Sequence, residues 1–135
     1  MLETLLVPFT FAQLAVATLL AITFLQSGLD KALNFADNLS WLQSHFSKTF
    51  LRSWVHFLLG TITLIEVIAG ALCAVGAVLI LVTGSKIIAT YGAQAATVSV
   101  VMLFFGQRIA KDYAGAASLI PYFLMCVGAV LLFTF

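Results

Sequence analysis

Four apolar segments, each long enough to cross a lipid bilayer, account for most of this chain. They cover approximately residues 7–29, 55–82, 87–105 and 116–133. A helix needs about 20 apolar residues to span the hydrocarbon core, where its backbone groups bond within the helix itself. Hydrophobic residues make up 63% of the 135 residues and charged residues 8%, which leaves no room for a soluble domain. The sequence therefore predicts a single all-α membrane domain over residues 1–135, an antiparallel four-helix bundle.

The long connection between the first two segments, residues 30–54, has an amphipathic pattern. Apolar side chains recur every three or four residues, at Phe35, Leu39, Leu42, Phe46 and Phe50. Ser40 followed by Gln43 matches a capping box, which predicts a helix that begins near Trp41. We expect an interfacial helix on the membrane surface between spans 1 and 2. A helix that dips back between the spans is the alternative.

Basic residues predict how the bundle is oriented. Five of the six lie in connections that share one side of a four-span bundle: Lys31, Lys48, Arg52, Arg108 and Lys111. Only Lys86 lies on the other side. The positive-inside rule therefore predicts that connections 30–54 and 106–115 are cytoplasmic and both termini outside. The first apolar segment has neither a basic start nor a cleavage site, so we expect it to be a retained helix.

Small residues at helical spacing predict close helix packing in the second and third spans. One row contains Gly70, Ala74 and Ala77, and the other contains Ala89, Ala93, Ala96 and Thr97. Such rows let membrane helices approach closely. Cys73 and Cys126 lie inside spans without a C-x-x-C pattern, which is typical of small packing residues.

Glu66 is the candidate catalytic residue, because it lies deep inside the second apolar segment. An acidic residue there costs roughly 2.5–3.5 kcal/mol unless it is paired or protonated. If all four spans begin at the same depth in the membrane, Glu66 lies at the depth of Ala21, Thr97 and Cys126. The polar residues near that depth are Thr23, Gln94, Thr97, Ser99 and Tyr122. We therefore expect a protonated Glu66 with neutral partners, or else one reached by a charge from the cytoplasmic side. A carboxyl group that only locks two helices together is the alternative.

A second polar cluster is predicted at the cytoplasmic ends of the helices. Its members are Gln26, Asp30, Lys31, His56, Gln107, Arg108, Lys111, Asp112 and Tyr113. Gln26 and Asp30 are one helical turn apart, as are Arg108 and Asp112, so each pair can share a helix face. The cluster is expected either to form a polar entrance for a quinone carbonyl or an anion, or to be an ordinary rim of ion pairs. The candidate cofactor-binding residues are Lys31, Arg108, Gln26 and Gln94.

Other chemistry has little support in the sequence. The only histidines, His45 and His56, lie in the connection and at the start of span 2, which disfavours a haem between facing spans. No serine or cysteine stands in a recognisable arrangement with a histidine, and no metal-ligand or phosphate-binding motif is present. We expect no nucleic-acid partner, because no basic tract exists.

Three segments resemble the DoxX-like family of small four-span membrane proteins. Residues 24–31 (FLQSGLDK) are similar to its G-x-x-K signature, and residues 65–72 (IEVIAGAL) to a second-span acid followed by glycine. Residues 108–117 (RIAKDYAGAA), leading into residues 122–124, resemble the entry to its last span. Position by position, Gly28, Lys31, Glu66 and Gly70 match the recurrent pattern.

The resemblance implies a small subunit of a quinone-linked or respiratory redox complex in a bacterial inner membrane. It implies other membrane subunits as partners and a quinone, rather than a covalently bound group, as cofactor. Any enzymatic role would belong to a quinone-linked oxidoreductase. The alternatives are a non-catalytic structural or assembly subunit and, with less support, a small proton-coupled transporter.

Overall fold

The structure, a computed structural model, describes residues 2–135, and within that range it contains helices and no strand. The α-helices are α1 (Leu2–Leu6), α2 (Pro8–Leu33), α3 (Phe35–His45), α4 (Val55–Thr83), α5 (Ile87–Ile109), α6 (Tyr113–Ser118) and α7 (Ile120–Leu132). A 3₁₀ helix, Phe50–Trp54, leads directly into α4. Four helical stretches are long and apolar enough to cross a membrane: Pro8–Leu33, Phe50–Thr83, Ile87–Ile109 and Tyr113–Leu132. The predicted all-α, four-span architecture is confirmed.

The helix ends follow from local chemistry. Pro8 occupies the first turn of α2, where a missing N–H costs nothing. Gly84 ends α4 with a φ of 76°, a left-handed conformation that favours glycine. Asp112 begins α6 by accepting a hydrogen bond from the Gly115 backbone N–H at 2.9 Å. The fourth span is therefore two helices, α6 and α7, that meet at Leu119.

The amphipathic helix α3 begins at Phe35, so the predicted start near Trp41 is wrong. The chain breaks at Asn34, whose side-chain amide donates to the Asp30 carboxylate at 3.1 Å. Ser40 lies inside α3 and does not cap it, because the apolar stripe already starts at Phe35 and the helix forms along all of it.

Helices α2 and α4 make the closest contact in the bundle. A methyl group in place of the Gly28 hydrogen would lie 2.9 Å from the Val67 backbone nitrogen. One on Gly70 would lie 3.0 Å from the Leu25 Cα. Because neither glycine can carry a side chain here, these contacts fix the register of α2 against α4.

Small residues also join α4 to α5, as the sequence predicts, although the row on α4 is different. Ala89, Ala93 and Ala96 of α5 are fully buried. On α4, however, the contacts involve Cys73 and Gly76, whereas Ala74 and Ala77 are only half-buried. Cys73 and Cys126 are free and fully buried, which fits their interpretation as packing residues.

Gln13 is a buried polar residue that the sequence analysis did not identify. Its side chain is 1% exposed and donates a hydrogen bond to the Leu132 carbonyl at 2.9 Å. That carbonyl belongs to the last turn of α7, and its other donor is the Phe135 backbone N–H at 3.3 Å. Gln13 thus ties the start of α2 to the end of α7.

We predict opposite effects for two glycine substitutions. Gly70→Ala should lower the free energy of unfolding by about 1–3 kcal/mol, because the new methyl group meets the α2 backbone. Gly60→Ala, in the same helix but with nothing within 4 Å, should raise it by about 0.5–1 kcal/mol. Unfolding in detergent by denaturant checks both. Equal effects would contradict the register described above.

We also predict that Gln13→Leu destabilises the protein by about 0.5–1.5 kcal/mol, because the Leu132 carbonyl loses the shorter of its two hydrogen bonds and keeps only the 3.3 Å bond from the Phe135 N–H. The matched control is Gln26→Leu, since Gln26 is exposed on the same helix. Thermal unfolding in detergent measures the difference. A Gln13→Leu protein as stable as the control would show that the Phe135 N–H alone satisfies this carbonyl.

Candidate functional site

Glu66 accepts hydrogen bonds from Ser27 and Lys31 of α2, and these two residues also bond to each other. The Glu66 Oε2 accepts from the Ser27 Oγ at 2.8 Å and from the Lys31 Nζ at 3.1 Å. Lys31 also donates to the Ser27 Oγ at 2.8 Å. The Glu66 side chain is 2% exposed and that of Lys31 is 21% exposed. The carboxylate is therefore paired with a cation that reaches it from the edge of the bundle.

The five neutral partners expected for Glu66 are wrong, and the alternative, a charged residue that reaches it from one end of the bundle, is the one observed in Lys31. Within residues 2–135, none of the five neutral candidates bonds to Glu66. Gln94 and Tyr122 are exposed, while Thr97 and Ser99 donate to carbonyls of their own helix. Lys31 supplies the opposite charge that a buried carboxylate needs.

The error arose from the assumption that all spans begin at one level. Gly28 packs beside Val67, yet Gly28 is five residues from the end of α2 and Val67 is twelve from the start of α4. Helix α4 therefore extends beyond α2 by roughly 10 Å, at 1.5 Å per residue. As a result, Glu66 lies near Gly28 rather than Ala21, within one helical turn of Lys31.

Lys31 also lines a cavity of about 510 Å³ between α3, α4 and α5. The walls are mainly aliphatic and aromatic, with Trp41, Leu42 and Phe46 contributed by α3 and its C-terminal end. The polar groups of the lining come from Lys31, Asn38 and Gln107. Apolar walls with a few polar groups, and a volume in this range, are typical of small-molecule sites.

A second polar network holds α3 against α5. His45 at the end of α3 makes a 2.8 Å hydrogen bond between its Nε2 and the Gln107 Oε1, and the same Nε2 is 3.7 Å from the Asp112 Oδ2. The Trp41 ring stacks on the His45 ring with centroids 4.6 Å apart. This contact places connections 30–54 and 106–115 at the same end of the bundle, as predicted. It also makes α3 one wall of the cavity.

Only some residues of the predicted polar entrance line the cavity in the structure. Lys31 and Gln107 line the cavity. Arg108 and Gln26 are exposed, and the Arg108 guanidinium lies over the Tyr113 ring at 4.6 Å. Arg108 and Asp112 do not share a helix face, because α5 ends at Ile109 between them.

The remaining predicted residues lie apart from the cavity. His56 is exposed and packs edge-on against Phe35, with ring centroids 5.4 Å apart. Gln94 lies on a neighbouring groove between α5 and α7, which shares Val101 and Met102 with the cavity but not Gln94. Of the four candidate cofactor-binding residues, only Lys31 is therefore brought to the cavity.

Sequence reasoning missed two polar residues of the site, Ser27 and Asn38. Ser27 lies four residues before Lys31, and residues at that spacing are neighbours on a helix. That spacing is the signal that could have identified Ser27. Asn38 carried no such signal, because its place in the cavity depends on how α3 crosses the end of the bundle.

We predict that Lys31→Met destabilises the protein by about 3–5 kcal/mol, because Glu66 stays buried without its cation. The double substitution Lys31→Met with Glu66→Gln removes both charges and should recover most of that loss. Denaturant unfolding in detergent measures both proteins. If the double variant were as unstable as the single one, lost packing rather than an unpaired charge would explain the effect.

No protein-family model, curated protein sequence or solved structure matches this chain. The DoxX-like resemblance therefore rests on the motifs within residues 24–31, 65–72 and 108–117.

Proposed function

We propose that this chain is a DoxX-like membrane subunit of a quinone-linked redox complex and that its cavity binds the quinone head group. The observation that carries this proposal is the position of Lys31. An ammonium group has three N–H donors, and two of those on Lys31 bond to Ser27 and Glu66. Since Lys31 also lines the cavity, its third donor is available to an acceptor there.

The residues of the cavity suit a quinone better than a charged metabolite. A quinone is flat and apolar, with carbonyl oxygens that accept hydrogen bonds. Trp41 and Phe46 supply aromatic surface, and the aliphatic lining residues exclude water. Gln107 supplies a second polar residue of the lining, and its Oε1 bonds to the His45 Nε2.

Each member of the site has a distinct part in this proposal. Lys31 donates to a carbonyl oxygen and stabilises negative charge that develops on it. Glu66 holds the ammonium group in place, while Ser27 bonds to both. When bound, a quinone would supply the two-electron, two-proton exchange between carbonyl and hydroxyl. The electrons would come from a partner redox subunit, as the DoxX-like resemblance implies.

We predict that the protein purified from its native membrane retains quinone. The double substitution Lys31→Met with Glu66→Gln should lose at least about 90% of that quinone. Such a loss corresponds to a tenfold lower affinity, or about 1.4 kcal/mol of binding free energy. The double variant is chosen because it leaves no unpaired charge buried between α2 and α4. Lys48→Met is the matched control, because Lys48 is an exposed lysine at the same end of the bundle. Quinone and phospholipid in the extract are measured by mass spectrometry.

Equal quinone-to-phospholipid ratios in all three proteins would overturn the proposal. Proteins that copurify are identified in the same preparations. Stable large partners in the absence of quinone would support the non-catalytic structural subunit instead. Quinone lost from the double variant but not from Lys48→Met would support Lys31 as its contact.

A further inference from the structure

One face of α5 exposes a regular row of large side chains along the whole helix. Their positions alternate in steps of four and three residues: Ile87, Tyr91, Gln94, Val98, Val101 and Phe105. The apolar members are each about half exposed, from 49% for Val101 to 63% for Ile87. This spacing keeps the row on one face of the helix, as in a heptad seam. We call these six residues the α5 seam. The exposed face of α4 has the same spacing, at Leu64, Ile68, Ala71, Val75, Val78 and Val82, but contains no polar residue.

Gln94 is the polar residue of the α5 seam. It lies seven residues after the start of α5, roughly 10 Å along the helix, and therefore inside a hydrocarbon core that is about 30 Å thick. Its side chain is exposed, and within residues 2–135 it makes no hydrogen bond. An amide group facing lipid without a partner is unfavourable, because lipid chains offer neither donor nor acceptor.

A groove of about 430 Å³ runs beside Gln94, between α5 and α7. Besides Gln94 it is lined by Thr97, Val98, Val101, Met102, Val127, Val130 and Leu131. Thr97 donates to the Ala93 carbonyl of its own helix, so the groove offers Gln94 no hydroxyl donor. The groove is thus an apolar surface with one unsatisfied amide at its edge.

We propose that the α5 seam is the interface between two copies of this chain. Copies of a membrane protein that insert in one orientation present α5 in parallel, and a two-fold axis then places each seam residue opposite its own equivalent. A carboxamide has both a donor and an acceptor, so two Gln94 side chains satisfy each other across the axis. Lysine or glutamate at this position would instead repel its equivalent.

The seam ends where the charged residues begin. Arg108 continues the spacing after Phe105, but its guanidinium lies over the Tyr113 ring of α6 rather than along the seam. The two copies therefore do not bring Arg108 side chains together at the centre of the interface. The apolar seam residues supply packing surface, and the Gln94 pair fixes the parallel register.

Cysteine cross-linking in native membranes tests this geometry. Val98→Cys should give a disulfide-linked pair of copies under mild oxidation, because the two sulfur atoms would face each other. Val78→Cys, an equally exposed position on α4, should not. The natural Cys73 and Cys126 are fully buried, so the unsubstituted protein supplies the background. No link at Val98→Cys, equal links at both sites, or a link to a different protein would overturn the proposal.

Energy transfer between fluorescently labelled copies in vesicles measures the contribution of Gln94. Gln94→Leu should weaken dimerisation by roughly 3- to 30-fold, the range expected for a hydrogen bond between membrane helices. Gln26→Leu, at an exposed glutamine of α2, should leave dimerisation unchanged. A monomer at every protein-to-lipid ratio, or a Gln94→Leu protein that dimerises as well as the wild type, would overturn the proposal.

Discussion

A carboxylate inside an apolar bundle needs a cation, and close packing of α2 against α4 brings Lys31 to Glu66. The two helices approach so closely at Gly28 and Gly70 that neither position accommodates a methyl group. That contact fixes the register, and the register puts Ser27 and Lys31 within hydrogen-bonding distance of the Glu66 carboxylate. A shift of one helical turn would move the ammonium about 5 Å along the helix and leave Glu66 buried without a charge partner.

The ion pair is connected to the cavity through Lys31, and this connection is what makes a functional role reasonable. A buried pair alone is weak evidence for stability or for activity. Here, however, the cation is partly exposed at the wall of an apolar cavity and keeps one donor free. Helix α3 closes that cavity, held by the bond between His45 and Gln107. The polar groups at the edge of the bundle thus form two networks. Ser27 and Lys31 bond to the buried carboxylate of Glu66, and His45 and Gln107 hold α3 over the cavity.

The inner face of α5 packs inside the bundle, whereas its outer face is exposed. Its inner face packs on α4 through fully buried alanines, and its end contributes Gln107 to the cavity. Its outer face carries the α5 seam, with Gln94 as the polar member. The seam residues Val101 and Phe105 also line the cavity, so a dimer through the seam would form against that part of the cavity wall. Quinone binding and dimerisation are tested by separate variants, because Lys31 is not a seam residue and Gln94 does not line the cavity.

The sequence by itself determined the four long apolar helices, the buried alanine row of α5 and the burial of Glu66, because such helices follow from segment length and apolar content. It did not determine the partner of Glu66. That depends on the offset of about 10 Å between α2 and α4, which the glycine contacts set and a residue count cannot show. The cavity likewise needs α3 folded across the ends of α4 and α5. Local pattern decides the helices, but contacts between residues distant in the chain decide their register, and the register decides the site.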